Sequence, residues 1–275
     1  MKVFGKIMLI VGAALLIALA AFVLFALVST ANVKLEPEKL HTESAQVQLL
    51  AGDGEKIASP KQYAELETLP PHLPAAFVAV EDKRFYAHGG LDVLRIGKAA
   101  LRNIASFSFR EGASTISQQL IKNTHLSGEK TIRRKLKEWK LTFELEKSYS
   151  KEQILELYLN SIYFGHSAFG VGSAAQYYFG KDAGELVPAE SAMLAALVRS
   201  PNRYSPFRDG AACKERRDLV LALMEEQGVL SAQEAKEAKE TPLPQTPHEN
   251  KTSGYVRLVF EELSEVFPEL TSEDK

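Results

Sequence analysis

Glu81-Asp82-Lys83-Arg84-Phe85-Tyr86-Ala87-His88-Gly89-Gly90 places two carboxylic acids directly after the apolar run Phe77-Val78-Ala79-Val80. A carboxylate at such an edge is partly desolvated, which raises its proton affinity toward that of a general base. Taken alone, the segment reads more readily as two surface acids paired with Lys83 and Arg84. His88 reads locally as a structural hydrogen bonder beside the Gly89-Gly90 turn. A second segment, Gly112 to Asn123, carries Ser114, Thr115, Gln118, Gln119, Lys122 and Asn123. Neutral amides read sugar hydroxyls in both directions, and a lysine brings a point charge suited to phosphate. A glycine followed by a helix cap and a polar helix describes the same residues equally well. In the third, Arg134-Lys135-Leu136-Lys137-Glu138, an i, i+4 ion pair and a cleft-facing cation–carboxylate set are equally open readings.

These residues need elements to hold them. Thr115-x-x-Gln118 and Ser150-x-x-Gln153 are capping-box patterns that open helices, and Ser231-x-x-Glu234 opens a later short one. Pro188 suits a first helical turn. Between Thr131 and Lys147, Ile132, Leu136, Trp139 and Phe143 form an apolar stripe. Arg134 and Glu138 fall opposite it, where Leu141 and Leu145 continue an apolar character. A helix apolar on both sides is expected to be central. Lys151–Asn160, the glycine- and aromatic-rich stretch to Lys181, and Pro188 through Asn202 read as packing helices and turns. Strand patterns are scarce, so the body is expected to be mainly α. The prolines at 242, 244 and 247 mark a linker, and Gly254–Phe267 reads as a final amphipathic helix.

The 275 residues are 45% hydrophobic and 25% charged, an ordinary globular balance. The formal charge of −2 and the lack of a sustained basic block argue against nucleic acid as partner. Cys213 is the one cysteine, so no internal disulfide and no cysteine-based metal site can form. From Ile7 to Val28 there are 22 residues without charge or proline. As a helix they would span roughly 33 Å, enough to cross a bilayer. Lys2 and Lys6 before the segment put the N-terminus in the cytoplasm and the rest outside. Ser29-Thr30-Ala31 has a faint signal-peptidase pattern, but the length of the run favours a retained anchor. Ile104–Arg110, with Phe107, Phe109 and a cation, suits a bilayer interface or ordinary packing under a loop.

Taken in order, the segments closely resemble glycosyltransferase family 51, the transglycosylase module of monofunctional peptidoglycan glycosyltransferases and class A penicillin-binding proteins. The resemblance covers about Leu69 to Met224. It rests on E-D-x-x-F-x-x-H-x-G at 81–90, G-x-S-T-I-x-Q-Q-x-x-K-N at 112–123 and R-K-x-x-E at 134–138, with the two later segments in register. It implies a mainly α, lysozyme-like two-lobed domain behind an N-terminal transmembrane helix. Glu81 would be the general base and Glu138 a second essential carboxylate that positions substrate or cations. Lys122, Arg134 and Lys135 would meet the charge of a leaving pyrophosphate. Asp82, Phe85, His88, Ser114, Thr115, Gln118, Gln119 and Asn123 would bind substrate or shape the cleft. The substrates implied are lipid II and undecaprenyl-linked glycan, drawn from the outer face of the bacterial cytoplasmic membrane, with cell-wall synthesis complexes as further partners. Many relatives work better with a divalent cation, magnesium or manganese, although no ligand set in the sequence declares one.

The expected organisation is an anchor over 1–31, a juxtamembrane segment over 32–68, the glycosyltransferase domain over 69–228 and a connector-like helical tail over 229–275 without a transpeptidase domain. Ser148-x-x-Lys151, Ser200-x-Asn202 and Lys251-Thr252-Ser253 mimic transpeptidase motifs and are read as coincidence, so no penicillin labelling is expected. The competing readings are a truncated bifunctional class A protein, a lysozyme-like hydrolase acting on finished glycan, and a non-catalytic cell-wall scaffold. Retention of both acids weighs against the last, and the anchor with its cation set against the hydrolase.

Overall fold

The computed structural model describes residues 2–40, 49–50, 56–58, 63–106, 114–129, 131–166 and 168–248. The interfacial segment expected at 104–110 falls largely outside these residues, and the final helix expected over Gly254–Phe267 falls wholly outside them. The described chain is mainly helical, as the capping patterns and the scarcity of strand signals require. Its strands are one short antiparallel pair, β1 (Leu49–Leu50) and β2 (Lys56–Ala58).

The first helix, α1 (Lys2–Thr30), includes an apolar stretch, Met8–Thr30, exposed over most of its length and long enough to cross a membrane. Beyond it the chain turns straight into the body: Val33 and Leu35 pack against the core, and Leu40 of the single-turn α2 (Pro37–Leu40) is buried in it. The segment before the body is clasped by α7 (Lys151–Ser161). Glu156 accepts from Tyr63 Oη and from Leu66 N, both at 2.7 Å, while Asn160 both accepts from Ala64 N and donates to its carbonyl at 2.9 Å.

Two groups of helices make the body. In one, α9 (Pro188–Leu197) lies between α3 (His72–Glu81) and α10 (Gly210–Glu226). It carries Pro188 in its first turn and is buried along almost its whole length, because its alanines and Ser191 let neighbouring backbones approach closely. The short α11 (Ala232–Glu240) packs on α9 and α10. Buried Arg217 fastens it by donating to the carbonyls of Lys239 and Thr241 at 2.8 and 2.6 Å. In the other group, α5 (Ile116–His125) packs against α6 (Ile132–Ser148) and α7. The caps anticipated at Thr115, Ser150 and Ser231 are all formed. A trio of edge-on rings crosses between the groups: Phe77 of α3 meets Tyr158 of α7 at 6.4 Å and Phe164 at 6.0 Å. The helices α4 (Val93–Ser106) and α8 (Val171–Phe179) complete the order.

One expectation is overturned. α6 is not a central helix. It buries Leu136, Glu138, Leu141, Thr142 and Leu145, the side holding the carboxylate, and turns most of the apolar stripe outward. Ile132, Trp139 and Phe143 are 68%, 36% and 45% exposed. The buried side is held by specific partners of Glu138 as much as by hydrocarbon, so counting apolar residues around the helix misjudged which face is inside.

Candidate active site

The apolar run of α3 is the cause of Glu81's position. Leu73, Ala76, Phe77 and Ala79 bury one side of the helix, and Glu81 is its last residue, half-buried where the chain leaves the core. Arg95 of α4 donates a guanidinium N–H to the Glu81 carbonyl, placing a cation at the negative end of the α3 dipole. The Glu81 carboxylate accepts from Gln119 Nε2 at 2.8 Å. The simple pairing of acids with the adjacent cation does not occur, because Arg84 instead reaches Asp92 at 3.3 Å.

Asp82 points the other way and is buried. Both of its oxygens lie 3.0 Å from His88 Nε2, and Oδ2 also accepts from Ile116 N at 3.1 Å. Gly90 N donates to His88 Nδ1 at 3.2 Å, which leaves Nε2 as the protonated nitrogen donating to Asp82. Thr115 Oγ1 closes the loop by donating to the Gly90 carbonyl at 2.6 Å. Gly90 must be glycine here: its φ is +93°, and a Cβ would stand 2.7 Å from Thr142 Cγ2. Asp82 and His88 therefore lock the first motif to the start of α5. Phe85, fully buried, lies under Lys151 Nζ at 4.4 Å from the ring centre.

Thr115 opens α5 with a capping box whose partner is Gln118, satisfying two backbone N–H groups at once. Gln118 is buried and also donates through Nε2 to Glu138 at 3.0 Å. Consecutive glutamines thus hold the two acids, Gln118 the Glu138 carboxylate and Gln119 that of Glu81. Ser114, Lys122 and Asn123 are exposed around this helix.

Glu138 is buried, with Arg134 NH1 at 3.2 Å on one oxygen and Lys135 Nζ on the other. Two cations against one carboxylate leave one positive charge in the cluster. Arg134 Nε is buried without a hydrogen-bond partner among the described residues. Beside it runs a groove of about 470 Å³ lined by Arg134, Asn123, His125, Arg133, Lys137 and Lys39 among others. Burial, the dominant influence on His125, lowers its proton affinity, so the ring is held toward its neutral form. Among the described residues no group of three or more His, Cys, Asp or Glu is placed to hold a metal ion.

Two residues of this site carried no signal in the sequence. Tyr158, buried in α7, donates its hydroxyl at 3.4 Å to Gln119 Oε1, the end of the amide that faces away from Glu81. Its own proton is held far more tightly than a free tyrosine's, first by burial and then by the charges of Glu81 and Asp82. Arg216 of α10 lies within the electrostatic reach of Glu81. Burial and the nearby Arg199 weaken its hold on its proton, while Glu81 and Tyr204 strengthen it. Both residues come from helices far from the first three motifs in sequence, and only folding brings them together. Lys151, half of the S-x-x-K lookalike, is engaged with Glu146 at 2.8 Å.

The profile of the Transglycosylase family matches residues 53–225 of this chain. Among similar proteins, penicillin-binding protein 1F of Bacillus subtilis (strain 168) is 42% identical over 200 residues, covering 71% of this chain and 28% of that protein. Penicillin-binding protein 1A of Rickettsia felis is 45% identical over 184 residues, with coverages of 66% and 23%. Penicillin-binding protein 1A/1B of B. subtilis is 37% identical over 258 residues, with coverages of 88% and 28%. The crystal structure of penicillin-binding protein 1A from Haemophilus influenzae superposes with a TM-score of 0.46 at 23% identity, over 81% of this chain and 24% of that one. The chain spans about a quarter of the length of these relatives. With the family profile matched over more than half its length, the chain belongs to the Transglycosylase family.

Proposed function

We propose that this chain is a peptidoglycan glycosyltransferase that joins lipid-linked disaccharides into β-1,4-linked glycan. The observation that carries the reading is the pair of carboxylates held by neighbouring amides of α5, one beside a cluster with net positive charge and one without a salt bridge among the described residues. Glu81 takes the proton of the acceptor's 4-hydroxyl as that oxygen attacks the donor's anomeric carbon. The bond to undecaprenyl pyrophosphate breaks, and the configuration inverts from α to β in a single displacement. Pyrophosphate already leaves well and needs its growing charge met rather than a proton. Arg134 and Lys135, steadied by Glu138, supply that charge with exposed Lys122. Asp82 and His88 hold the Glu81 turn in place, while Ser114, Thr115 and Asn123 flank the cleft. The α1 helix anchors the enzyme, with the catalytic body on the outer face of the cytoplasmic membrane.

Labelled lipid II incubated with the chain in detergent should yield glycan polymer, and the Glu81→Gln protein should be slower by on the order of 10²-fold or more. Purified sacculi should release no fragments. Sacculus digestion without polymer formation would instead identify a lysozyme-like hydrolase. The length of the relatives favours a second arrangement of the same activity, in which this region is the glycosyltransferase part of a longer penicillin-binding protein.

A further inference from the structure

Two consecutive arginines of α10 are used very differently by the fold. Arg217 is buried and saturated, with Asp218 at 2.9 Å and the carbonyls of Lys239 and Thr241 at 2.8 and 2.6 Å. Arg216 has neither a salt bridge nor a side-chain hydrogen bond among the described residues, although its Nε is buried. Its guanidinium lies 6.0 Å from the centre of the Tyr204 ring, and that of Arg203 lies 5.5 Å from the same ring. Arg199, just beyond the end of α9, is close enough to weaken the hold of Arg216 on its proton. Arg199 and Arg203 are exposed and, among the described residues, likewise have no acid partner.

The turn after α9 sets this cluster in place. The Ser200 carbonyl accepts from Arg203 N and Tyr204 N, both at 3.0 Å, and Tyr204 brings the turn to Arg216. Both α9 and α10 pack on α3, which ends at Glu81, and the Glu81 charge is felt at Arg216. Each group of helices therefore brings its own cations to the two acids. Arg134 and Lys135 come with α6, and the three arginines come with α9 and α10.

A guanidinium fork matches a carboxylate with two parallel N–H bonds. In the proposed reaction the Arg134 and Lys135 set meets the leaving pyrophosphate. The donor's muramyl ring carries its peptide stem close to the anomeric carbon that reacts, so the stem carboxylates are the remaining anions that start beside the base. The acceptor's pyrophosphate is a whole disaccharide away from its 4-hydroxyl.

We propose that Arg199, Arg203 and Arg216 bind the carboxylates of the donor's peptide stem, an inference that rests on the glycosyltransferase reading and adds the stem to what this site recognises.

The test compares lipid II bearing free stem carboxylates with lipid II whose stem carboxylates are all converted to carboxamides, using the full chain in detergent. The unaltered protein should show a KM about 10-fold lower for the free acid. Arg199→Gln with Arg203→Gln changes two exposed residues, and thermal melts check its folding. This double variant should raise KM for the free acid by about 10-fold, leave KM for the amidated substrate within about twofold, and leave kcat within about twofold on both. Equal losses on the two substrates would overturn the proposal in favour of a pyrophosphate contact, since both carry that group. A fall in kcat with KM unchanged would overturn it in favour of arginines that act on Glu81. An unchanged variant would overturn it outright. Fluorescent forms of both substrates, titrated by anisotropy into the Glu81→Gln protein, read affinity without turnover. Preference for the free acid there, with no polymer from the unaltered chain, would keep the stem site and remove the activity. Polymer made equally well from both substrates would keep the activity and remove the site.

Discussion

Gln119 donates to Glu81 at 2.8 Å, and the carbonyl oxygen that this turns away from the carboxylate accepts from the buried phenol of Tyr158 at 3.4 Å. A terminal amide has a donor end and an acceptor end, and a half-turn of that group would oppose one oxygen to another. The arrangement fixes the direction in which the free oxygen of Glu81 presents itself.

Gln119→Leu should therefore lower polymerisation of lipid II by roughly 10-fold or more, the scale of a lost hydrogen bond to a charged group at about 1.5–3 kcal/mol. Tyr158→Phe keeps the packing against Phe77 and removes only the hydroxyl, and should cost less, about 2- to 10-fold. Initial rates with both variants, alongside thermal melts that confirm folding, measure this. A Gln119→Leu protein at full rate would show that the amide does not aim the base.

Glu138 combines burial with three donors, and its loss should be felt in stability as well as rate. Glu138→Ala strands the positive charges of Arg134 and Lys135 and the amide of Gln118. The partial exposure of Lys135 softens this, so a cost of about 1–3 kcal/mol is expected rather than the full penalty of a fully buried broken pair. Glu138→Gln keeps the shape and an acceptor for Gln118 and should recover part of that stability, while remaining slow. Urea titration of the two variants separates the contributions.

Gly90→Ala should destabilise the protein by about 1–3 kcal/mol through its left-handed backbone and the contact with Thr142. Pairing it with Thr142→Ser removes the methyl group that would be struck but leaves the backbone strain. The double variant should melt between Gly90→Ala and the unaltered protein. Equal melting of all three would remove the steric argument.

Cys213 is buried in α10, and burial pushes its thiol up to about 12 from the ordinary 9.0. The native protein should resist alkylation at mildly alkaline pH and react fully in denaturant. The folded state withholds a proton that the unfolded chain would release, so its stability is whole below pH 9 and declines as the pH rises from about 9 toward about 12. Alkaline melts of the unaltered protein against Cys213→Ala test the sign, since the variant should lose the part of the decline that belongs to the thiol.

The caps at Thr115, Ser150 and Ser231, the proline of α9 and the span of α1 were legible because each is written in residues a turn or two apart. So were the segments that carry Glu81 and Glu138. The partners of those acids were not. Gln119 lies 38 positions from Glu81, Tyr158 another 39 beyond, and nothing local in L-x-x-Y-L-N marks a tyrosine that aims a glutamine. Glu156 and Asn160, which read as packing residues, turn out to hold the chain ahead of α3 through the backbone of Ala64 and Leu66. The facing of α6 failed for a different reason. Apolar periodicity counts hydrocarbon, and it does not register that the buried side is the one where Gln118, Arg134 and Lys135 hold Glu138.

The double grip of Asp82 on His88 and on Ile116 N has a consequence for how this sequence can change. The histidine-glycine turn and the first residues of the amide helix are two places on the chain but one unit of variation. A swap of either between relatives tests the other at once, and tolerated changes should come in matched sets whose effects are not the sum of their parts. For anyone grafting this site onto a new scaffold, the smallest transferable piece is therefore not a motif but the pair of motifs together with the carboxylate that joins them.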